Sequence, residues 1–319
     1  MITTNSAEGA AKQPLKPLYK KSLLTRIGLS KHIYILLLPA ILFYVIFHYI
    51  PMFGTVIAFQ DYSVTKGILG SKWVGFKNFL DFFRNYKFGE LLVNTLRINI
   101  MQLAIGFPTP IVFALLLNEL RNLKFKKAVQ TITYMPHFIS TVIIASLLLT
   151  FLSSEGLFNG VRAMFGLEKI SFMTEPKYFP WIYVLSGVWQ QLGWNTIIYI
   201  SAIASISPEL YEAATIDGAG RFKQALHVTL PGISETIVIL LIMNIGTMLS
   251  LGYEKIILLY NPTIYETADV ISTYVYRRGI LEGNFGHSAA VGMFNSIVNY
   301  SLLMISNTIS RKVRGSGLW

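Results

Sequence analysis

The sequence predicts an all-α integral membrane protein with six transmembrane helices, and three observations carry that prediction. The 319 residues are 53% hydrophobic and only 13% charged, whereas soluble domains carry roughly 25% charged residues. Mean hydropathy is +0.52. Six stretches of at least 18 residues contain no Asp, Glu, Lys or Arg: 33–60, 98–118, 128–154, 178–208, 236–253 and 283–310. A helix needs about 20 apolar residues to cross a bilayer core. The runs are long and continuous, which fits helices and not the short alternating strands of a barrel. The interior of a large soluble protein accounts for one or two such runs, not six.

Lys and Arg set the orientation. With the N-terminus inside, the inner segments 1–32, 119–127, 206–232 and 311–319 hold 15 basic residues, and the longer outer segments 61–92, 155–177 and 254–282 hold 11. Both termini are therefore expected in the cytoplasm. The N-terminal cluster of Lys12, Lys16, Lys20, Lys21, Arg26 and Lys31 contributes most. Residues 1–31 read as a basic tail, with no apolar core ahead of a small-residue cleavage site and hence no cleaved signal peptide. The net charge of +11 suggests nucleic acid in a soluble protein. Here the positive-inside bias explains it, and no nucleic-acid partner is expected. There are no cysteines, which excludes disulfides, thiolate metal sites and cysteine nucleophiles.

The elements follow in order. The first span occupies 33–60. In the loop 61–92, Trp73 precedes Phe76, Phe79, Leu80 and Phe83, whose spacing puts large apolar groups on one helix face. A helix lying on the membrane surface and a helix packed on the spans both fit. The remaining spans fall near 93–118, 128–152, 181–205, 233–253 and 287–309, with a short tail at 311–319. Pro108 and Pro110 sit within the second span, Pro136 opens the third, and Gly187 and Gly193 interrupt the fourth. No internal repeat of the kind found in secondary transporters is evident.

Chemistry by this chain alone is not expected. There is no G-x-x-x-x-G-K-[ST], no H-E-x-x-H, no G-x-S-x-G, and the five histidines show no metal-ligand spacing. Gly218-Ala219-Gly220 is a lone G-x-G with Lys223 where the third glycine belongs. No catalytic residue and no metal ligand is assigned.

The segment between the fourth and fifth spans carries the strongest pattern. Ser207 is placed to cap a helix opened by Pro208, with Glu209 in its first turn, where the helix dipole favours an acid. Gly218 ends that helix. A second short helix follows from about Gly220 to Thr229, and Pro231 stops it before the next span. The product is a compact helix-turn-helix knob, with small Ala213 and Ala214 allowing another surface to approach. A plain loop between helices is the alternative on physics alone.

Glu212-Ala213-Ala214, Asp217-Gly218-Ala219 and Leu230-Pro231 at this spacing resemble the coupling motif of bacterial ABC importer permeases. Val228 stands where that family more often has Ile. The resemblance extends over most of the chain. It includes 76–80, Asn94-Thr95, 135–140, 252–262, 269–279 and the terminal Gly315-Ser316-Gly317-Leu318-Trp319, which are similar to the carbohydrate-uptake branch and its LplB-like members. The resemblance implies a type I importer permease fold over 90–310 and a place in a bacterial inner or plasma membrane. It implies a second permease subunit as heterodimer partner, two ATPase subunits and an extracytoplasmic solute-binding protein. The implied cargo is a complex oligosaccharide or polysaccharide-derived sugar. ATP and Mg are expected on the partner ATPase, with no cofactor on this chain, and the knob is expected to act as a lever.

For such a cargo, the polar and aromatic residues within spans are pathway candidates, since polar groups in lipid turn to the protein interior or a water-filled path. They are Trp189, Gln190, Gln191, Trp194, Asn195 and Tyr199 in span four, with Asn244, Asn295 and Asn299 in spans five and six. Hydrogen bonding between helices is the competing role. His137 reads as a packing or helix-end residue. An ion-coupled secondary carrier is the alternative function, but it wants an intramembrane carboxylate and the six runs hold none. A membrane-embedded enzyme lacks paired acids, metal ligands or a nucleophile–base pair.

Overall fold

The computed structural model describes residues 31–315 and 317–319; the expected tail 1–31 lies outside them except for Lys31. The described residues fall into two units divided between Gly54 and Thr55. Structure is mostly helical, with one two-stranded antiparallel ribbon pairing Gln60 with Trp73 and Asp61 with Lys72.

In chain order the main elements are α1 (Lys31–Phe59), α2 (Gly67–Gly70), α3 (Lys77–Phe83), α4 (Phe88–Asn118), α5 (Leu123–Phe138), α6 (Thr141–Phe151), α7 (Leu157–Met164), α8 (Phe179–Ala204), α9 (Pro208–Ile216), α10 (Arg221–Gly232), α11 (Ser234–Ile245), α12 (Tyr253–Leu259), α13 (Tyr265–Ala268), α14 (Ile271–Tyr276) and α15 (Phe285–Arg314). Three are long and apolar enough to cross a membrane: α1, α4 and α15. The pairs α5–α6 and α10–α11 raise the number to five if each is one broken span. The helix α8 has 26 residues and no charge, long enough to cross at about 1.5 Å per residue.

Several expected breaks fall elsewhere. The run 128–154 is not one straight span. Helix α5 starts at Leu123, where the Asn122 side chain accepts from the amides of Lys124 and Phe125. Pro136 sits in the closing tight turn rather than at the opening. Ile139 is then extended, Ser140 caps α6, and the pair bends by 100°. Gly187 and Gly193 do not interrupt α8, which is continuous. Gly193 serves packing instead: a Cβ there would sit 2.3 Å from the Thr133 carbonyl oxygen. The fifth span ends at Ile245 rather than 253. Past it, Asn299 accepts from the Leu249 amide and donates to the Ser250 hydroxyl, replacing the ladder that the chain leaves.

Three of the prolines inside helices share one setting. The wide π-turns Val45–Tyr49, Gln102–Gly106 and Ala225–Thr229 each end two residues before a proline, Pro51, Pro108 and Pro231. Proline lacks an N–H and its ring collides with the carbonyl four residues earlier. A turn holding one extra residue moves that carbonyl away. Thus α10 passes Pro231 and stops at Gly232, with a 60° bend into α11, rather than stopping at the proline.

Within the second unit, the largest apolar cluster joins Ile98 of α4, Ala145 of α6, Phe179 and Val184 of α8 and Ile256 of α12. A second gathers Phe82, Leu91, Ile271, Tyr274 and Val291. Phe82 is the buried residue of α3. The face expected there is split, with Phe59 stacked on Trp73 and packed on Phe76 and Phe79, and Phe83 packed on Phe294. Polar anchors cross the chain. Asn94 donates to the carbonyls of Glu266 and Asp269, and the Thr95 hydroxyl accepts from the Ile271 amide. These bonds hold the 266–271 segment against α4.

Candidate functional site

Two features combine polar or exposed groups in ways that packing alone does not require. The first is a cavity of about 300 Å³ between α4, α8, the end of α11 and α12. Asn99 and Gln102 enter from α4, Tyr183, Gly187, Gln190 and Gln191 from α8, Asn244 from α11 and Lys255 from α12. A smaller cavity of about 140 Å³ shares Gln102 and Asn244 and adds Asn195 and Tyr199. Both lie along one stripe of α8, from Tyr183 through Gly187, Gln191 and Asn195 to Tyr199. That is a four-residue repeat running about 24 Å along the helix axis.

Two glycines border this stripe. A Cβ at Gly187 would lie 3.4 Å from Gln102 Oε1 and 3.8 Å from Lys255 Nζ. At Gly106 a Cβ would come within 2.6 Å of Gln102 Nε2, so a side chain there would turn that amide aside. Gln191 Oε1 lies 2.9 Å from His137 Nδ1, and Gln190 donates to the Ile139 carbonyl. These bonds tie α8 to the bend between α5 and α6.

Of the span residues singled out from sequence, Gln190, Gln191, Asn195, Tyr199 and Asn244 line the two cavities. The others lie elsewhere. Trp189 lines an apolar groove with Leu147, Phe151 and Trp181. Trp194 stacks on His137, ring centroids 4.2 Å apart, which makes His137 a packing residue. Asn295 sits on α15 with its Oδ1 buried and unpartnered among the described residues. Asn99, Gln102, Tyr183 and Lys255 were not singled out. Asn99 and Gln102 are visible as amides three apart in a charge-free run. Lys255 was counted as a loop charge, yet it is 91% buried.

The second feature is the α9–α10 pair. The Ser207 side chain accepts from the Glu209 amide and Pro208 opens α9. Gly218 ends it at φ +75°, and the Ala219 amide returns to the Ala214 carbonyl at 2.8 Å. Gln224 Nε2 donates to both Thr215 Oγ1 and the Ala219 carbonyl, each at 3.0 Å. Tyr211 and Thr229 hydroxyls meet at 3.0 Å. The two short helices are therefore stapled into one body. Glu212, Ala213, Asp217, Gly218 and Pro231 are exposed, and Ala214, Ala219 and Leu230 are half-buried. Ile216 and Phe222 project with most of their surface free. The body is tied to α4 through Arg221, whose guanidinium lies 3.8 Å from the Glu119 carboxylate.

Comparison with known proteins gives a consistent set of matches. Residues 106–314 match the family described as binding-protein-dependent transport system inner membrane component. The polygalacturonan/rhamnogalacturonan transport system permease protein YteP of Bacillus subtilis is 46% identical, covering 94% of each chain. Protein LplB of the same organism is 42% identical, over 91% of this chain and 92% of that protein. Among solved structures, a chain of a bacterial alginate ABC transporter in complex with alginate pentasaccharide-bound periplasmic protein superposes with a TM-score of 0.85. It is 41% identical and is matched over 93% of this chain and 99% of that one.

Proposed function

Because the chain belongs to the binding-protein-dependent transport system inner membrane components, we propose that it forms half of a transmembrane pathway for an oligosaccharide released from a polysaccharide. It is a sugar ABC importer permease, and ATP hydrolysis belongs to separate subunits. In this reading α1, α4, α5–α6, α8, α11 with the residues that follow it, and α15 supply six spans, with both termini and the α9–α10 pair in the cytoplasm. The observation that carries the pathway is the pair of cavities along α8, lined by the amides of Gln190, Gln191 and Asn195 from α8, Asn99 and Gln102 from α4 and Asn244 from α11. Oligosaccharides present rows of hydroxyls, and Gln and Asn amides both donate and accept. A track about 24 Å long offers partners to several sugar rings in succession.

The α9–α10 body is the contact with the ATPase. Support comes from its exposed Glu212, Ala213, Asp217 and Gly218 beside Ile216 and Phe222, and from its internal bonds, which let it move as a unit. Closure of an ATP-loaded, Mg-containing ATPase pair would push this body, and the Arg221–Glu119 contact and the 60° joint to α11 would pass the displacement to the spans. A second permease would supply the other wall, and a solute-binding protein would deliver the cargo from outside. The named relatives handle polygalacturonan/rhamnogalacturonan and alginate, which points to acidic polysaccharides as the source of the cargo.

The test is co-purification of the tagged chain from its host in mild detergent. Recovery of an ATPase and a second permease is expected, with Glu212→Ala losing the ATPase only. A stable homodimer or monomer without an ATPase would overturn the reading and return attention to an ion-coupled carrier.

A further inference from the structure

Lys255 is the one charged side chain among the residues lining the larger cavity. It is 91% buried, yet among the described residues no carboxylate pairs with it. Its ammonium donates to the Tyr183 carbonyl at 3.2 Å and lies 4.9 Å from the centre of the Tyr183 ring. An ammonium has three donors, and one carbonyl satisfies one of them.

Helix α12 does not account for the lysine. Lys255 is in the first turn of Tyr253–Leu259, where the helix dipole disfavours a cation. Packing does not account for it either, because a buried unpaired charge is costly. Burial lowers its pKa to about 8, so it remains mostly cationic near neutrality. The surroundings are built for an anion that carries hydroxyls. Gln102 and Lys255 both face the open space at Gly187, where a Cβ would be 3.4 Å from Gln102 Oε1 and 3.8 Å from Lys255 Nζ. Asn99, Gln190 and Gln191 complete the rim with amides, and the Tyr183 ring supplies an aromatic face.

We propose that Lys255, with Gln102 and the gap at Gly187, reads the carboxylate of a uronic-acid residue as the oligosaccharide passes α8. The inference rests on the importer reading and adds the group that is recognised and the residue that recognises it. The carboxylate accepts from the ammonium and from a neighbouring amide N–H, while the ring hydroxyls exchange bonds with the other amides. A neutral sugar of the same shape leaves the ammonium without its anion. The charge-assisted contact is expected to show as a preference of roughly tenfold or more for the acid.

The experiment uses the complete complex, both permeases with the ATPase pair, in nanodiscs with the solute-binding protein omitted. The probes are an oligogalacturonate and its fully methyl-esterified form, identical except for the charge. Wild type is expected to bind the acid at least tenfold more tightly than the ester. Lys255→Gln should abolish that preference by weakening the acid alone, and Lys255→Arg should retain it. A ratio of acid to ester affinity that is the same in Lys255→Gln and wild type would overturn the inference. So would Lys255→Arg losing the preference along with Lys255→Gln, since that marks a packing role. Uptake by the wild-type complex in vesicles, with the binding protein present, is measured in parallel. Import of oligosaccharides with no preference for the acid sinks the role of Lys255 and leaves the importer reading standing; no sugar import at all sinks both.

Discussion

The guanidinium of Arg277 lies 2.5 Å from the carboxylate of Asp269, a side chain with no solvent exposure. Asp269 also accepts from the Thr273 hydroxyl at 2.7 Å, and its own carbonyl is held by Asn94. The pair locks the end of α14 to the segment that packs on α4. Removing one partner of such a buried pair costs about 3–5 kcal/mol, because the other charge is left uncompensated. We expect Asp269→Ala to lower the thermal unfolding midpoint of the purified chain by several degrees, read by a thiol-free thermal shift in detergent. An unchanged midpoint would show that the pair contributes nothing net.

The two glycines of α8 should respond in opposite ways. At Gly193 a Cβ would meet backbone of Thr133 at 2.3 Å, so Gly193→Ala must push α5 and α8 apart. Yield and thermal midpoint should both fall. At Gly187 the nearest atoms stand at 3.4 Å and beyond, an ordinary contact, so Gly187→Ala should fold and transport. Gly187→Leu should fold and lose uptake by tenfold or more, since the larger group fills the cavity. Uptake by Gly187→Leu at the wild-type rate would remove this cavity from the path.

Gly218 tests the lever. Its φ of +75° costs an L-residue about 1–2 kcal/mol, while no atom lies within 4 Å of a Cβ placed there. The strain is therefore confined to the turn. Gly218→Ala is expected at normal expression, with uptake reduced severalfold per ATP hydrolysed by the complex. Normal coupling at normal expression would count against the lever.

Topology is open to direct labelling, because the chain has no cysteine of its own. Leu69→Cys and Leu123→Cys both place a thiol at a highly exposed position outside the proposed ATPase contact. With a membrane-impermeant maleimide on intact cells, the first should label and the second should label only after permeabilisation. The reverse pattern would invert the proposed orientation.

The parts of this fold that were legible in the sequence are those fixed by local rules. Absence of charge marked the apolar helices, and Ser207, Pro208 and Gly218 marked the limits of α9, because a cap, a first-turn proline and a positive φ each act within a few residues. The bend after Pro136 and the early end of α11 were not legible. They depend on partners far along the chain, such as Asn299 bonding to Leu249 and Ser250. Within the candidate site, Gln190, Gln191 and Asn244 stood out as polar groups in apolar runs. Lys255 did not, since its charge placed it in a loop by composition and only the packing of α12 on α6 and α8 buries it. Trp189 and Trp194 drew notice for their chemistry, but which side of α8 they occupy depends on where its neighbours pack.

Three of the four π-turns among the described residues, all but Arg277–Leu281, pair with a proline two residues on, and that pairing has a consequence for how this chain tolerates insertion and deletion. The extra residue and the imino acid answer each other's geometry, so neither is neutral alone. A lineage that replaces Pro108 with a residue bearing an N–H is left with one residue too many in 102–106, and one that loses a residue there drives the proline ring into the preceding turn. The two changes should therefore be inherited together. Among relatives, length differences of a single residue are then to be sought inside the spans, just ahead of a lost proline, as well as in the loops where gaps are usually placed.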